Sequence, residues 1–164
     1  MTDRATREFM GFEPFFEPDS EILILGSFPS VISRRENFYY ANPRNRFWST
    51  LALLFGEETP KDVDEKKSLL KRRHIALWDI VAECDIRGSL DGNIRNYVVA
   101  DLGKILSVAN INRIFLNGQT AYKIFKKHYP ELIPIATALP STSPANTAFR
   151  SASWELISLP RRCK

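Results

Sequence analysis

The chain has 164 residues, of which 44% are hydrophobic and 26% are charged, and its formal net charge is +4. This length and balance are typical of one globular domain, so we expect a single domain over residues 1–164, with residues 1–20 covering apolar surface. The composition excludes a membrane-spanning protein, because charges interrupt every apolar run before the ~20 residues that a bilayer requires. The positive charge permits a polyanionic partner without demanding one.

The start of the chain and its cysteines indicate a protein of a reducing compartment. Residues 1–10 mix acids with bases and no apolar stretch follows them, unlike a secretory signal. Cys84 and Cys163 are too few for a disulfide framework or a structural zinc site, and His74 and His128 have no partner at metal-ligand spacing. We therefore expect a cytoplasmic protein that holds no metal and no cofactor.

Short apolar segments predict four strands that are buried on both faces. Such uninterrupted runs are typical of parallel sheets covered by helices. Pro134 in the last segment predicts an edge strand or a later start, because proline cannot donate a backbone hydrogen bond to a neighbouring strand. The segments are Ile22–Leu25, Ile75–Trp78, Arg113–Leu116, and Ile133–Ala136 leading to Leu139.

Helical patterns lie between these segments and after the last one. The first helix would begin with Asn45 as its cap and end at Gly56. Strands that alternate with helices predict an α/β protein, a three-layer α/β/α sandwich around a four-stranded, mainly parallel sheet. The further predicted helices are Asp64–Arg73 with Leu69 and Leu70 inward, Asp101–Val108, Gln119–Tyr129 ended by Pro130, and Ser153–Ser158.

A parallel sheet also predicts where a ligand would bind. In such sheets the ligand lies beyond the carboxyl ends of the strands. Three parts of the chain should therefore converge there, namely the loop after Leu25, the Asn117–Gly118 turn and the loop after Leu139.

The loop after the first strand is Gly26–Ser30, with the sequence GSFPS. It matches neither a phosphate-binding P-loop nor a dinucleotide fingerprint. A glycine at a strand end allows the backbone to turn close to a ligand, and the hydroxyls of Ser27 and Ser30 can bond a phosphate. Taken alone, the motif is explained better as a plain turn.

The segment Asn37–Trp48 interleaves aromatic residues, amides and arginines. Aromatic faces can stack an unpaired base, amides can bond a base edge or a water molecule, and arginines can neutralise phosphates. Tyr39 and Tyr40 precede the predicted helix and have no periodic reason to be core. Asn42 before Pro43 is also compatible with simple turn chemistry. From these residues alone, a functional segment and a turn are equally good interpretations.

A third motif, Leu139–Thr147, follows the last predicted strand and reads LPSTSPANT. Its two prolines stiffen a run of small polar residues. A stiff loop of this kind suits a segment that presses into a DNA groove and contacts phosphates. An ordinary surface loop remains the alternative when the motif is taken alone.

Together these motifs resemble the uracil-DNA glycosylase superfamily, and they are most similar to its hypoxanthine-DNA glycosylase (deoxyinosine glycosylase) branch. The shared pieces are LGSFPS, a YYxNPRN segment, ALWD, GSLD, the LNG turn and PSTSPAN, between about Ile22 and Asn146. The resemblance implies the uracil-DNA glycosylase fold and a monofunctional enzyme that hydrolyses the N-glycosidic bond of a deaminated base in DNA. Hypoxanthine in deoxyinosine is the expected base, base-excision repair the process, and damaged DNA the partner of a monomer that associates with the nucleoid in a prokaryote.

One departure from most of the superfamily bears on the mechanism. Most families place Asp, Asn or Glu before the proline of the first motif to handle the attacking water, whereas this chain has Phe28. The hypoxanthine branch shares the departure and is understood to use the asparagine of NPRN. The resemblance therefore implies Asn42 as a catalytic amide and Asn117 as a second catalytic residue.

The resemblance also implies residues that contact the base and the DNA. Tyr40 would stack on the base, with Phe28 and Ser141 beside it. Pro144–Asn146 would form a wedge that enters the duplex. The implied DNA-binding residues are Ser27, Ser30, Arg44, Ser143, Pro144, Ala145 and Asn146.

Other functions remain open at this point. Within the superfamily, a uracil-specific or mismatch-specific glycosylase is the main alternative. A catalytically silent DNA-binding module is the second, favoured by the missing acid at Phe28, and an enzyme of free nucleotides is the last. We expect no iron–sulfur cluster, because Cys84 has no cysteine two residues away, and no lyase activity. Asp79, which follows Trp78 at the end of a predicted strand, could be an acid behind the site, but a helix cap is the preferred interpretation.

Overall fold

A computed structural model describes residues 7–86 and 94–159 of the chain. Cys163, the GSLD segment at residues 88–91 and residues 1–6 of the N-terminal segment lie outside this range. The strands are β1 (Arg7–Met10), β2 (Ile22–Gly26), β3 (Ile75–Asp79), β4 (Val81–Ile86), β5 (Arg95–Val99), β6 (Arg113–Asn117) and β7 (Ala136–Leu139). The helices are α1 (Val31–Glu36), α2 (Phe47–Leu54), α3 (Val63–Arg72), α4 (Gly103–Leu106) and α5 (Gln119–His128), with 3₁₀ helices at Pro130–Ile135 and Ser151–Ile157.

The four apolar segments form one parallel sheet, as predicted. Its strand order is β3-β2-β6-β7, and all of its neighbouring strands run parallel. Every residue of β2 and β3 is buried, which explains why both segments are apolar without alternation. The prediction of an α/β protein with a four-stranded parallel sheet is confirmed.

The proline of the last predicted strand has both of the expected effects. Pro134 lies inside a 3₁₀ helix, so β7 begins only at Ala136. β7 is also an edge strand of the sheet. Because the edge needs hydrogen bonds on one side only, the short strand suffices to bring Leu139 level with Asn117 of β6.

A second sheet was not predicted. β1, β4 and β5 form an antiparallel sheet in the order β1-β4-β5. Only Ile80 separates β3 from β4, so one continuous stretch of chain leaves the parallel sheet and enters the antiparallel one. The sequence hides these strands because β4 and β5 carry charges and the pairing between them has register irregularities.

The N-terminal segment lies against the parallel sheet where it is described. Phe15 forms an isolated antiparallel bridge with Leu77 of β3, and the indole of Trp78 donates to the carbonyl of Phe12 at 2.7 Å. Phe12, Phe15 and Phe16 are partly buried and pack on the core.

Helices α2 to α5 correspond to predicted helices with local differences, whereas α1 was not predicted. Leu69 and Leu70 of α3 are buried as expected. The cap of α2 is Arg46 and not Asn45, although the Asn45 side chain still accepts a hydrogen bond from the Phe47 amide at 2.9 Å. The predicted helix Ser153–Ser158 is a 3₁₀ helix at Ser151–Ile157, anchored by the buried Trp154. Within the described residues, no helix is both long and apolar enough to traverse a bilayer.

Candidate active site

A cleft of about 370 Å³ opens at the carboxyl ends of the parallel strands. The loop after β2, the Asn117 end of β6 and the loop after β7 meet there, so the three parts of the chain that the sequence singled out converge. The 37–48 segment supplies the remaining wall. The lining residues are Gly26, Ser27, Phe28, Pro29, Ser30, Ser33, Tyr39, Tyr40, Asn42, Asn45, Asp79, Asn117, Ser141, Thr142, Ser143, Pro144, Ala145 and Asn146.

All predicted site residues line this cleft except Arg44. The structure places Arg44 on the exposed surface beside the cleft, next to Asn42. Their convergence is a finding, whereas the chemical role of each residue remains a prediction.

Gly26 forms the floor of the cleft, where its lack of a side chain is required. A Cβ atom at this position would lie 2.5 Å from Oδ1 of Asp79 and 2.7 Å from the hydroxyl oxygen of Tyr40. Both distances are shorter than real contacts of a Cβ atom. The glycine therefore allows the buried carboxylate of β3 and the Tyr40 hydroxyl to meet the end of β2.

A serine that the sequence did not single out joins two of the motifs. Ser30 caps α1 by accepting a hydrogen bond from the Ser33 amide at 3.1 Å, and its hydroxyl donates to the Ser33 hydroxyl at 3.1 Å. The Ser33 hydroxyl oxygen also accepts from the Ala41 amide at 3.1 Å. Ser30 thus has a defined structural task, and Ser33 fixes the distance between the loop after β2 and the segment that carries Asn42.

The two neighbouring tyrosines have different environments. Tyr39 is only 3% exposed, packs edge-to-face on Phe12 and Phe38, and donates its hydroxyl to the carbonyl of Glu13 at 2.7 Å. Tyr40 is partly exposed to the cleft, and its ring stacks on Phe47 with centroids 4.1 Å apart. The expectation that neither tyrosine belongs to the core is therefore wrong for Tyr39.

Tyr40 has an unusual backbone conformation. Its φ of 52° lies in the left-handed region, which a bulky residue adopts only when the surrounding structure imposes it. The rigid stack on Phe47 and the approach of the hydroxyl to Gly26 hold the ring in this position. One ring face is thus covered, and the ring borders the cleft as a prearranged surface.

The orientation of the Asn42 amide is determined by its own loop. Its Oδ1 accepts a hydrogen bond from the backbone N–H of Arg44 at 3.0 Å. Because a backbone N–H can only donate, the oxygen must be on that side and the NH₂ group on the other. Asn42 lines the cleft, and among the described residues no hydrogen bond engages its NH₂ group.

Asn117 enters the same cleft but is already engaged. Its Nδ2 donates to the Thr142 hydroxyl at 2.9 Å, and its Oδ1 accepts from the Thr142 amide at 3.0 Å. Asn117 is 8% exposed and Thr142 is fully buried. Next to it, Gly118 adopts a positive φ of 100°, and a Cβ atom there would lie 3.2 Å from Cβ of Ser141. The Asn117–Gly118 turn therefore supports the start of the loop that follows β7.

The 141–146 loop is braced by its own side chains. The hydroxyl oxygen of Ser141 accepts from the Ser143 amide and that of Ser143 from the Ala145 amide, both at 3.2 Å. The Asn146 side chain turns back, donating to the Ser141 carbonyl at 3.0 Å and accepting from the Ala148 amide at 3.2 Å. Pro144 and Ala145 are left at the tip of the loop.

Asp79 is a lining residue that sequence reasoning misinterpreted. No helix follows it, because β4 begins at Val81, so the interpretation as a helix cap is wrong. Its carboxylate is 4% exposed and lies beside the Tyr40 hydroxyl under the cleft. Burial, and then the charge of Asp79, raise the pKa of Tyr39 far above its ordinary range. The position of Asp79 at the end of a predicted parallel strand was the signal for the other interpretation, an acid behind the site.

Amides and hydroxyls dominate the chemistry of this cleft. Among the lining residues, Asp79 is the only carboxylate, and neither lysine, arginine nor histidine contributes to the lining. In the described part of the chain, no cluster of three or more His, Cys, Asp or Glu side chains could hold a metal ion. Neutral donors in a confined space can bind the edge of a planar ring and stabilise negative charge that develops on it.

Comparisons with known proteins relate this chain to one family. The profile of the uracil DNA glycosylase superfamily matches residues 13–158. A curated relative from Methanosarcina acetivorans, named hypoxanthine DNA glycosylase, is 34% identical over 155 residues, which are 90% of this chain and 96% of that protein. A second one of the same name, from Methanosarcina barkeri, is 32% identical over 111 residues, 66% of this chain and 70% of that protein.

A solved structure agrees with the fold. It is the solution NMR structure of a protein from Methanosarcina acetivorans that is provisionally assigned as a uracil DNA glycosylase. The two structures superpose with a TM-score of 0.79 at 31% sequence identity, over 93% of this chain and 97% of the other. The fold that the sequence motifs implied is thereby confirmed.

Proposed function

The chain belongs to the uracil DNA glycosylase superfamily, and from this membership and the cleft we propose that it hydrolyses the N-glycosidic bond of a deaminated base in DNA, with hypoxanthine as its main substrate. The observation that supports the choice of mechanism is the Asn42 amide, which lines the cleft with its oxygen bound to the Arg44 amide and its NH₂ group not engaged. Damaged DNA is accordingly its macromolecular partner and base-excision repair its process.

The base must leave the duplex before it can enter the cleft. Extruding a nucleotide requires a few kcal/mol, and mispaired bases require less. The volume of about 370 Å³ falls within the range of ligand pockets and suits one base. Tyr40, whose ring is already held by its stack on Phe47 and lines the cleft, would stack on the base, a contribution of ~1–3 kcal/mol per stacked base.

The tip of the 141–146 loop would occupy the space that the base vacates. Pro144 and Ala145 are the foremost residues of this stiff loop, since the side chain of Asn146 is used within it. The Ser143 hydroxyl accepts from the Ala145 amide and so retains its proton for a phosphate oxygen. Ser27 at the cleft and the exposed Arg44 would hold the DNA strand beside it.

The donor of Asn42 suits a deaminated base. Hypoxanthine presents acceptors at its O6 and N7 edge, as guanine does. Adenine carries an amino group in place of O6, so a fixed NH₂ donor directed at that position would face another donor. A site that leaves polar groups unpaired discriminates strongly against the wrong ligand. The same amide would therefore select the base and stabilise it.

The chemical step needs only water. As the bond between C1′ of deoxyribose and the base nitrogen breaks, its electron pair goes to the base and the sugar acquires oxocarbenium character. The oxygen of a water molecule then bonds to C1′, and its proton ends on the released base. An amide is a weak base, so Asn42 would act by donating to the departing base and by positioning. Asn117 would act mainly by holding Thr142 and the loop.

A uracil DNA glycosylase is the second candidate, because the solved structure is assigned to that activity. Uracil also presents carbonyl acceptors to a donor. The two candidates differ in the base that is released, and one substrate panel separates them.

The test uses duplex oligonucleotides that carry one deoxyinosine, deoxyuridine, deoxyxanthosine, mismatched thymidine or deoxyadenosine. Alkali cleaves the strand wherever a base has been released. We expect cleavage above all at deoxyinosine, none at deoxyadenosine, and a large loss with Asn42→Ala. The matched control is Asn110→Ala, an exposed asparagine that does not line the cleft. DNA binding without release of any base would overturn the proposal in favour of a silent binding module.

A further inference from the structure

We propose that Arg46 is a positioning residue that holds the 141–146 loop in the shape required for insertion into duplex DNA. The inference rests on the proposed function and adds a specific consequence. Activity on a duplex should depend on Arg46 much more than activity on a single strand, because only a duplex must be opened by the loop.

The contacts of Arg46 connect distant parts of the chain. Its Nη2 donates to the carbonyl of Ser143 at 2.8 Å and to the carbonyl of Asn146 at 2.5 Å. These partners are 97 and 100 residues away in the sequence. The backbone N–H of Arg46 donates to the Thr142 carbonyl at 3.0 Å. One residue at the start of α2 therefore binds three carbonyls of the loop.

The carbonyls that the guanidinium binds lie on both sides of the loop tip. Ser143 and Asn146 flank Pro144 and Ala145, so the guanidinium bridges both ends of the loop tip. The carbonyls can accept no bond from Pro144, which lacks an N–H. Across the tip, a single backbone bond, from the Asn146 amide to the Ser143 carbonyl at 3.0 Å, reinforces the bridge. Removal of the guanidinium would leave the tip with this bond and its side-chain turns.

The chemistry of the contact favours arginine over lysine. A planar guanidinium directs several N–H groups at fixed angles, whereas an ammonium is a point charge on a flexible stem. The guanidinium also lies over the ring of Phe149, 4.7 Å from its centroid, so the ring fixes its plane. Among the described residues, no carboxylate forms an ion pair with Arg46. The partners of its guanidinium are the loop carbonyls of Ser143 and Asn146 and the ring of Phe149.

Prior ordering of a loop strengthens binding because the entropy of ordering is not lost on association. A single strand can deliver a base to the cleft without a wedge, since its bases are already unpaired. The ratio of duplex to single-strand activity therefore reports the state of the tip. A general loss of folding would lower both activities equally.

The experiment measures single-turnover rates on the same deoxyinosine oligonucleotide, single-stranded and paired with its complement. For Arg46→Ala we expect a fall of roughly tenfold to a hundredfold on the duplex, since hydrogen bonds from charged groups are lost, and a much smaller fall on the single strand. Arg46→Lys should recover only a small part of the rate on the duplex. Thermal melting of each variant establishes that it is folded. If Arg46→Ala does not fold, the ratio for Arg46→Lys decides.

Arg44→Ala is the matched control for loss of a positive charge. Arg44 is exposed and would touch phosphates in either form of DNA, so its rates should fall alike on both substrates and its salt dependence should weaken. Arg46→Ala should leave the salt dependence unchanged. If Arg46→Lys restores the full duplex rate, or if Arg46→Ala lowers both rates equally, the positioning role is overturned. If the wild-type protein releases base from neither substrate, the proposed function fails instead.

Discussion

Two asparagines line the cleft, and their surroundings give them different hydrogen bonds. Asn42 lies in a short turn on the 37–48 wall, and its oxygen alone is used, by the Arg44 amide. Asn117 lies on a different wall, at the end of β6, and exchanges two hydrogen bonds with Thr142. The same side chain is thus a free donor on one wall and a structural connection on the other.

The difference shows that the role of a side-chain amide depends on which of its donor and acceptor groups are not already hydrogen-bonded within the protein. A local turn consumes one acceptor and orients the group, whereas a reciprocal pair consumes a donor and an acceptor and joins two segments. We therefore expect changes on the Asn42 wall to affect catalysis, and changes on the Asn117 wall to affect stability as well. Four further predictions test this contrast.

The largest effect is expected for Asn42→Asp. The carboxylate keeps the acceptor for the Arg44 amide but removes the donor and places negative charge beside a base that departs as an anion. Removal of one prearranged donor typically lowers kcat by ~10²–10³-fold, and we expect at least this loss in single-turnover rates on deoxyinosine. A variant as active as the wild type would mean that Asn42 directs water as an acceptor, and the contrast would break.

Asn117→Ala should lower the activity less and the stability more. The buried Thr142 amide would lose its acceptor, which destabilises a protein by about 1–3 kcal/mol. Urea unfolding measures this change, and Thr142→Val provides the partner for a double-mutant cycle, in which we expect strong non-additivity. If Asn117→Ala abolishes base release without altering the unfolding midpoint, Asn117 acts on the base directly.

Tyr40→Ala should weaken catalysis by roughly tenfold, in keeping with the ~1–3 kcal/mol of a base–aromatic stack. Tyr40→Phe keeps the ring on Phe47 and should retain most of the activity. Rates on single-stranded deoxyinosine isolate the stacking from duplex opening. Equal losses in both variants would show that the hydroxyl beside Gly26, and not the ring, makes the contribution.

The smallest effect is expected for Glu57, a carboxylate that does not line the cleft. Burial acts against the charged form of Glu57, but hydrogen bonds from Arg73 and Arg72 prevail and lower its pKa. A lowered folded-state pKa means that the pair stabilises the protein above the unfolded-state pKa and that the benefit disappears as the pH falls through the folded-state value. Glu57→Gln should thus reduce the unfolding free energy by about 1 kcal/mol or less at neutral pH, with no difference in strongly acidic solution and unchanged base release. A loss of base release would show that the ion pairs of Glu57 with Arg72 and Arg73 influence the cleft.

The sequence was sufficient for the parallel sheet and for most of the lining residues. Continuous apolar runs such as Ile22–Leu25 have few alternatives to a strand buried on both faces. The rule that ligands lie beyond the carboxyl ends of parallel strands then brought Asn117 and Ser141 to one place. Asn42 was identified by its aromatic and basic neighbours together with the family motif.

The remaining features depend on contacts between distant residues. Arg46 binds carbonyls almost 100 positions away, and nothing in its local pattern indicates them. Ser33 was missed because helix α1 has a weak apolar pattern, and β4 and β5 because charged residues interrupt them. Tyr39 belongs to the core through Phe12 of the N-terminal segment, which periodicity cannot reveal.

The left-handed backbone of Tyr40 has an implication for how this protein can be altered. A glycine would adopt a φ of 52° without steric conflict, so the tyrosine carries a local backbone cost that the stack of its ring on Phe47 has to offset. Protein engineering that relaxes unfavourable backbone angles would select this position early, and a Tyr40→Gly substitution would remove the aromatic ring. In the proposed mechanism, a change that relieves the backbone at position 40 would therefore also remove the surface on which the base stacks.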